Sequence, residues 1–299
     1  MQTIFNRYIN YLEAERRASP YTLRNYKADL LDFFGFLRGE GHVTLAQANK
    51  DSLCSYLSKL SDIGTAKSSV ARKLSAIRSF FRYLLRENVI RENPFINLES
   101  PRLDKRLPLF LTLEEIKKLV QSPDLSKPEG KRDRAWLELL YASGIRVSEL
   151  AQLKIEQVNL DTHEIRVIGK GSKERVVLMG KPAVKAIHNY LVEARSDLLG
   201  NRKSDLLFLT RFGKPLTVRR IQKLLDAHAK SIGIAKRVHP HMVRHTFATH
   251  MLDGGADLRV VQELLGHADL SSTQIYTHVT KQQARKLYLK THPLASESL

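Results

Sequence analysis

Apolar side chains recur at three- and four-residue spacing through the first hundred residues, and this feature constrains the fold most. One long stretch with this period runs from Leu23 to Leu37, after Ser19 and Pro20, a favourable N-cap and N1 pair. Three further stretches have the same period, near residues 4–12, 51–60 and 67–87. Residues 1–98 are therefore expected to form a small four-helix domain.

The helical period stops between Glu99 and Pro108, where two prolines and several charges predict an extended linker. Thr112 and Glu115 then have the spacing of a capping box, which predicts the start of a new helix. We therefore expect a linker over residues 99–108 and a second domain over residues 109–299.

The second domain is expected to be mainly helical with one small antiparallel sheet. Strands are predicted at three short apolar stretches joined by turn residues, at 157–160, 164–168 and 175–179. Helices are predicted around them, near 131–143, 147–153, 181–197, 217–232, 240–253, 257–265, 271–278 and 280–290.

The net charge indicates a polyanionic partner. Lys and Arg total 49 against 31 Asp and Glu, a formal charge of +18. Both the first hundred residues and the remainder are basic, which favours nucleic acid over a charge that serves solubility alone. Cys54 is the only cysteine, so a disulfide framework and a Cys-based zinc site are excluded. Without a long apolar run or a signal-peptide core, we expect a cytoplasmic protein with no membrane partner.

Several segments carry residues suited to chemistry. Arg146 follows a helix-ending glycine, Lys170 lies between two glycines at a predicted hairpin tip, and His241 and Arg244 share a helix face. His267 and Tyr276 follow at two later positions. Taken singly, each has an ordinary structural explanation, such as a surface arginine or a packing tyrosine.

Together these residues suggest chemistry on a phosphodiester. Arginines bind non-bridging oxygens in a fork, lysine and histidine move protons, and tyrosine can serve as nucleophile. The lysine hairpin does not match a P-loop, and the histidines lack the H-E-x-x-H order of a zinc site. No metal and no cofactor are therefore expected.

Four motifs resemble those of the tyrosine recombinases, most closely the bacterial Xer recombinases. They are LLYASGIRVSEL at 139–150, VIGKGSKER at 167–175, HPHMVRHTFATHML at 239–252 and ADLRVVQELLGHADLSSTQIYTHV at 256–279. The resemblance spans essentially the whole chain. It implies an N-terminal SAM-like core-binding domain, a C-terminal catalytic domain, and strand transfer through a 3′-phosphotyrosyl link.

The resemblance also implies a role for each matching residue. Arg146 and Arg244 would clamp the scissile phosphate, Lys170 would be the general acid, and His241 would help to deprotonate the nucleophile. His267 would bind a non-bridging oxygen, and Tyr276 would be the nucleophile. His239 stands where relatives usually have Ser or Thr, and His241 is preferred because its spacing to Arg244 fits the motif.

Supporting residues follow from the same resemblance. Glu149 would orient Arg146 as a buried carboxylate, the alternative being an exposed helix glutamate. The DNA-binding candidates are Arg219 and Arg220 on a helix expected in the major groove, and Arg72, Lys73 and Arg78 in the first domain. Each of these cations alone is more typical of a phosphate contact or a solvated charge than of a base reader.

The expected partners are a double-stranded recombination site, a homo- or hetero-tetramer with a paralogous recombinase, and a cell-division DNA translocase. The apolar residues of 280–299 are too few for a self-sufficient core element, and the resemblance implies that this segment docks on a neighbouring subunit in a DNA-bound tetramer; the alternative is packing on its own domain. The expected role is resolution of chromosome dimers. Alternatives are a phage- or plasmid-type integrase, a type IB topoisomerase, and a non-catalytic DNA-binding relative.

Overall fold

The structure is a computed structural model that describes residues 2–16, 18–41, 45–95, 109–168, 174–266 and 287–295. The chain divides into two compact units, Met1–Arg106 and Leu107–Leu299. Three candidate catalytic residues, Lys170, His267 and Tyr276, lie outside the described residues, as does the helix expected at 271–278. Among the helices described, none combines the length and the apolar character needed to cross a membrane.

The first unit contains the four predicted helices. They are α1 (Gln2–Ala14), α2 (Pro20–Gly39), α3 (Lys50–Asp62) and α4 (Lys67–Arg86). The predicted cap of α2 is confirmed: Ser19 Oγ accepts a hydrogen bond from Thr22 N at 3.1 Å, and Pro20 stands at N1. Aromatic side chains fill the core, where the Phe81 and Phe95 rings meet edge-on with centroids 4.5 Å apart.

Over the described residues between 109 and 266, the second unit contains eight α-helices. They are α5 (Leu113–Gln121), α6 (Pro128–Ser143), α7 (Val147–Ala151), α8 (Lys181–Glu193), α9 (Arg195–Leu199), α10 (Val218–Ser231), α11 (Pro240–Asp253) and α12 (Leu258–Leu265). The predicted capping box of α5 is confirmed. Glu115 N donates to Thr112 Oγ1 at 3.2 Å, and Thr112 N donates to Glu115 Oε2 at 2.7 Å.

A three-stranded antiparallel sheet lies between α7 and α8 in sequence. Its strands are β1 (Val158–Asn159), β2 (Glu164–Ile168) and β3 (Glu174–Leu178), in the order β1-β2-β3. The β2–β3 register pairs Val167 with Arg175 and Ile165 with Val177. The predicted fold class, mainly helical with a small antiparallel sheet, is confirmed, although β1 is shorter than expected.

The single helix predicted over 181–197 is wrong, because it divides into α8 and α9 at Ala194. Ala194 has φ −143° and ψ −27°, outside the helical region. The next residue explains the break: the Arg195 guanidinium donates to the carbonyls of Ser204 at 2.9 Å and Leu206 at 2.8 Å. These long-range bonds redirect the chain where local periodicity predicts continuation.

Helix α6 forms the centre of the second unit. Nearly every residue from Ala135 to Ser143 is buried, and α8 and α11 pack against it. Trp136 Nε1 donates to Asp133 Oδ1 at 2.7 Å, so the buried indole is satisfied inside the same helix. This enclosed helix ends at Gly144, directly before the turn that carries Arg146.

The C-terminal segment 287–295 packs on its own unit in this structure. Tyr288, Leu294 and Ala295 are buried, and Tyr288 Oη donates to the Ala142 carbonyl at 2.9 Å. Lys181 N donates to the carbonyl of Ala295 at 3.2 Å. These residues form more of the core than the sequence predicts, and docking on a second subunit stays a prediction for an assembly on DNA.

Candidate active site

Arg146 is positioned by a tight turn between α6 and α7. Gly144 ends α6 with φ +57°, a left-handed conformation that favours glycine. A Cβ there would also lie 2.6 Å from a ring carbon of Phe247. Arg146 then serves as the N-cap of α7, with its amide donating to Glu149 Oε2 at 2.9 Å.

The Arg146 guanidinium is held on two sides and remains partly exposed. It donates to Glu149 Oε1 at 3.2 Å and to the carbonyl of Gly266 at 3.0 Å. The side chain is 36% exposed, so an incoming anion can reach the remaining donors.

Arg244 lies on α11 beneath the same turn and is buried. Its two terminal nitrogens donate to the carbonyls of Gly144 and Leu265, each at 2.5 Å. Burial, reinforced by the positive charges of Arg146 and Arg175, lowers the pKa of Arg244 to about 10. Arg244 and Arg146 thus bind successive carbonyls, those of Leu265 and Gly266, at the end of α12, and the fold brings the two arginines together.

Glu149 is buried between two arginines. Its side chain is 7% exposed, and the carboxylate accepts two hydrogen bonds from Arg175, at 2.7 and 2.8 Å, besides those from Arg146. Burial alone would raise the pKa of Glu149, but the bonds from Arg175 and from the Arg146 amide lower it below its ordinary value. Glu149 is therefore an ionised carboxylate in contact with Arg146.

Arg175 was not among the sequence candidates. It lies on β3, five residues after Lys170, inside the motif VIGKGSKER. Its place in that motif was visible, but its partner Glu149 lies 26 positions earlier in the chain. Only the tertiary fold brings the two together.

The described cluster carries more positive than negative charge. It contains three guanidinium groups and one carboxylate: Arg146 and Arg175 bind Glu149, Arg146 also binds a neutral carbonyl, and Arg244 is held by two neutral carbonyls. Like charges held close together are unfavourable, and an anion between them relieves that repulsion. The cluster therefore fits an anionic ligand with several oxygens, such as a phosphate.

Two histidines begin α11 and differ in their surroundings. His239 is the N-cap, with Nδ1 accepting from Met242 N at 3.1 Å. Burial and the neighbouring His241 and Arg237 lower the pKa of His239. His241 is exposed, one turn before Arg244. His239 Nδ1 is thus engaged in capping, both histidines are exposed, and the preference for His241 stays a prediction.

The remaining catalytic candidates flank the described cluster in sequence. His267 follows Gly266, whose carbonyl binds Arg146, and Lys170 belongs to the segment that joins β2 to β3. Tyr276 lies further along the same undescribed segment as His267. The roles of all three stay predictions.

The DNA-binding candidates on α10 are exposed. Arg219 and Arg220 lie in its first turn, where Thr217 Oγ1 accepts from the Arg220 amide at 3.3 Å. The far end of α10 is attached to α6, because His228 Nε2 lies 3.1 Å from Asp133 Oδ2. The fold thus presents both arginines to solvent from an anchored helix.

The candidates of the first unit have partners inside that unit. Arg72 forms an ion pair with Asp29, and Lys73 Nζ lies 2.6 Å from Asp32 Oδ2. Arg78 lies further along α4 and is half-buried. A DNA contact by Arg72 or Lys73 therefore competes with these carboxylates. Over the stretches of chain that are described, no group of three or more His, Cys, Asp or Glu is arranged to hold a metal ion.

Comparison with known proteins identifies the family. Residues 109–283 match the Phage integrase family, and residues 5–88 match the phage integrase N-terminal SAM-like domain. The tyrosine recombinase XerC of Pelotomaculum thermopropionicum is 43% identical over 304 residues, covering 99% of each chain. The tyrosine recombinase XerD of Staphylococcus haemolyticus is 40% identical over 295 residues, covering 99% of this chain and 100% of the relative.

A solved structure extends the similarity to the fold. The XerH site-specific recombinase bound to palindromic difH substrate, in a post-cleavage complex, matches with a TM-score of 0.71 and 27% identity. The match covers 92% of this chain and 81% of that one. With the SAM-like and integrase matches, it confirms the two-part fold that the sequence motifs implied. The chain belongs to the phage integrase, or tyrosine recombinase, family.

Proposed function

We propose that this protein is a site-specific DNA recombinase that cuts and rejoins strands through a 3′-phosphotyrosyl intermediate. The observation that carries the proposal is the cluster of Arg146, Arg175 and Arg244 around the single carboxylate of Glu149. Such a cluster suits a scissile phosphate, since guanidinium groups bind phosphate oxygens in a fork and stabilise the charge that develops on them.

In the cleavage step, Tyr276 Oη attacks phosphorus while Arg146 and Arg244 hold the non-bridging oxygens with His267. His241 helps to remove the tyrosine proton, and Lys170 donates a proton to the 5′-oxygen as the P–O5′ bond breaks. The products are a 3′-phosphotyrosyl link and a free 5′-hydroxyl. Accessible His241 and partly exposed Arg146 are consistent with these roles.

Rejoining reverses these bonds. A 5′-hydroxyl of the partner strand attacks the phosphotyrosyl phosphorus and gives its proton back to Lys170. The P–O bond to Tyr276 breaks, and the proton that His241 helped to remove returns to the tyrosine. The bond energy is kept in the link, so no ATP is needed. The arginines supply the charge stabilisation that a metal ion would otherwise provide, so we propose that the reaction is independent of metal and cofactor.

Binding to DNA would involve both parts of the chain. We propose a core-binding domain over 1–98, a linker over 99–108 and a catalytic domain over 109–299. Arg219 and Arg220 would contact the major groove, and the α4 cations would contact phosphates.

The working assembly would be a tetramer on double-stranded DNA, formed either by this protein alone or together with a paralogous recombinase. Its cellular role would be resolution of chromosome dimers in the cytoplasm, in response to a cell-division DNA translocase. Similarity to XerC and XerD over almost the whole chain supports this role over phage or plasmid integration.

A nicked suicide duplex tests the chemistry directly. After cleavage, the short fragment beyond the nick diffuses away, so a covalent protein–DNA adduct accumulates. We expect the wild-type protein to form it and Tyr276→Phe to form none while retaining its DNA affinity. Tyr21→Phe removes a hydroxyl from an exposed tyrosine of the first unit and is the matched control. An adduct with Tyr276→Phe, or none with the wild type, would overturn the proposal.

A second substrate tests the general acid. When sulfur replaces the 5′-bridging oxygen, the leaving group departs as a thiolate and needs no proton. Lys170→Ala should therefore cleave the ordinary duplex slowly and the sulfur-containing duplex at close to the wild-type rate. Equal defects on both duplexes would remove Lys170 from this role.

A further inference from the structure

Arg175 occupies a position in the sheet where a charge is unexpected. It lies on the same face of β3 as Val177, which is 1% exposed within the core of the second unit. The Arg175 side chain is 17% exposed. A guanidinium on a core-facing position needs hydrogen-bond acceptors, and Glu149 provides them through both carboxylate oxygens.

The same side chain also covers the end of α12. Gly266 has φ +66°, and a Cβ there would lie 2.9 Å from both Cδ and Nε of Arg175. The carbonyl of Gly266 accepts from Arg146 at 3.0 Å. Arg175 thus touches both groups that hold the Arg146 guanidinium, the Glu149 carboxylate and the Gly266 backbone.

The geometry points to Arg175 as a positioning residue that neutralises Glu149 and so keeps the charge of Arg146 available for the scissile phosphate. This inference rests on the proposed strand-transfer function. With Arg175 present, its two terminal nitrogens each donate to one carboxylate oxygen of Glu149. The Arg146 guanidinium then makes a single, longer hydrogen bond of 3.2 Å to the same carboxylate.

Removing Arg175 would leave Arg146 as the nearest cation to Glu149. The two would form a closed ion pair, and the guanidinium would turn away from the position where an anion binds. The net charge of the described cluster would also fall by one. Both changes weaken stabilisation of a phosphate whose charge grows in the transition state, so cleavage should slow more than DNA binding.

A purely structural salt bridge predicts a different pattern. If Arg175 only holds β3 against α7, then its loss should lower the melting temperature and the cleavage rate together, and neutralising Glu149 should restore both. The loss should also be as harmful on an uncharged phosphate as on a charged one. The two explanations therefore separate on the charge of the phosphate and on whether the cleavage rate follows the melting temperature.

The experiment measures single-turnover adduct formation on the nicked suicide duplex at saturating protein. Arg175→Ala should cleave about 10²-fold more slowly than wild type, while half-site affinity changes less than about threefold. Arg175→Lys, which restores the charge without the fork, should recover at least about tenfold. Arg166→Ala, an exposed arginine on β2 of the same hairpin, is the control and should cleave at the wild-type rate.

Two further comparisons test whether Arg175 acts through the charge of Glu149 and of the phosphate. The double variant Arg175→Ala/Glu149→Gln should cleave at least about tenfold faster than Arg175→Ala, because the competing carboxylate charge is gone. On a duplex whose scissile phosphate has one non-bridging oxygen replaced by methyl, the Arg175→Ala defect should shrink below about threefold. A melting curve for each variant shows whether it is folded.

Clear results would overturn the inference. Wild-type cleavage by Arg175→Ala would do so, as would a defect that neither Glu149→Gln nor the methyl-substituted phosphate reduces. If Arg175→Ala does not fold, Arg175→Lys takes its place. Its cleavage rate is then compared with that of the wild type on the ordinary duplex and on the methyl-substituted duplex, and the same outcomes apply. If the wild-type protein forms no adduct, the proposed function itself is refuted. If the wild type forms the adduct and the Arg175 variants form it equally fast, only the inference about Arg175 is refuted.

Discussion

Tyr288→Ala is expected to release the C-terminal segment 287–295 while leaving the rest of its unit folded. Tyr288 is 1% exposed, and its hydroxyl donates to the buried Ala142 carbonyl at 2.9 Å. Its ring stacks on His292 at 5.1 Å between centroids. We expect this segment to open locally, because Tyr288, Leu294 and Ala295 are its only buried apolar side chains among the described residues.

The size of the effect follows from these contacts. Truncating a buried aromatic side chain to alanine costs about 3–5 kcal/mol, and each 1.4 kcal/mol changes an equilibrium about tenfold. The opening constant of the segment should therefore rise about 10²- to 4 × 10³-fold. Tyr288→Phe keeps the ring and leaves only the Ala142 carbonyl unpaired, so its cost should be about 1–3 kcal/mol.

Hydrogen exchange of the 287–295 amides measures this opening. Leu289 lies next to Tyr288 in the same segment but is 45% exposed, so Leu289→Ala is the matched control and should change protection little. Protection should fall in the order wild type, Tyr288→Phe, Tyr288→Ala. Loss of protection through α6 and α11 together with the segment would show that it is an inseparable part of the core.

The same variant tests docking between subunits. Deleting 281–299 would uncover the apolar faces that the segment covers, so a deletion mixes instability with loss of docking. Tyr288→Ala changes one side chain. If the segment docks on a neighbour through the same residue, half-site binding should remain normal and cooperative binding to a full site should fall. Unchanged cooperativity would contradict docking through Tyr288.

Three further predictions concern titration, capping and the turn beneath the site. Burial lowers the pKa of His292 to about 3, so below about pH 6.5 the opened segment binds a proton that the closed segment does not. The segment should therefore open more readily as the pH falls, which hydrogen exchange at pH 5 and 7 measures. His292→Gln should weaken this pH dependence. Thr112→Ala should lower the free energy of unfolding of the second unit by about 1 kcal/mol in urea, because α5 loses its cap. Gly144→Ala should reduce both the melting temperature and the cleavage rate, since a Cβ at φ +57° meets Phe247 and displaces the carbonyl that binds Arg244.

Features encoded locally were predictable from the sequence. The caps at Ser19 and Thr112 depend on residues three positions apart, and both form as predicted. The turn at Gly144 follows from a glycine at the end of an apolar run. In each case the physical cause lies within one helical turn, where residue types alone decide the conformation.

Features that depend on distant partners were not predictable in this way. The helix break before Arg195 depends on carbonyls that follow it by about ten residues. The burial of Tyr288 depends on its contact with the Ala142 carbonyl of α6. The pairing of Arg175 with Glu149 is of the same kind. The sequence indicated which cations lie near the site, but not which of them a carboxylate already neutralises.

The difference between cations that a carboxylate neutralises and cations that it does not explains how a folded protein can contain a strongly basic site. A buried guanidinium needs hydrogen-bond acceptors, but it does not need a carboxylate. Arg244 takes its acceptors from the backbone, at the carbonyls of Gly144 and Leu265, and these satisfy its donors without cancelling its charge. Only Glu149 carries negative charge in the described cluster, and Arg175 already engages both its oxygens. The fold therefore holds uncompensated positive charge where a phosphate is proposed to bind, and burial together with the charges of Arg146 and Arg175 lowers the pKa of Arg244.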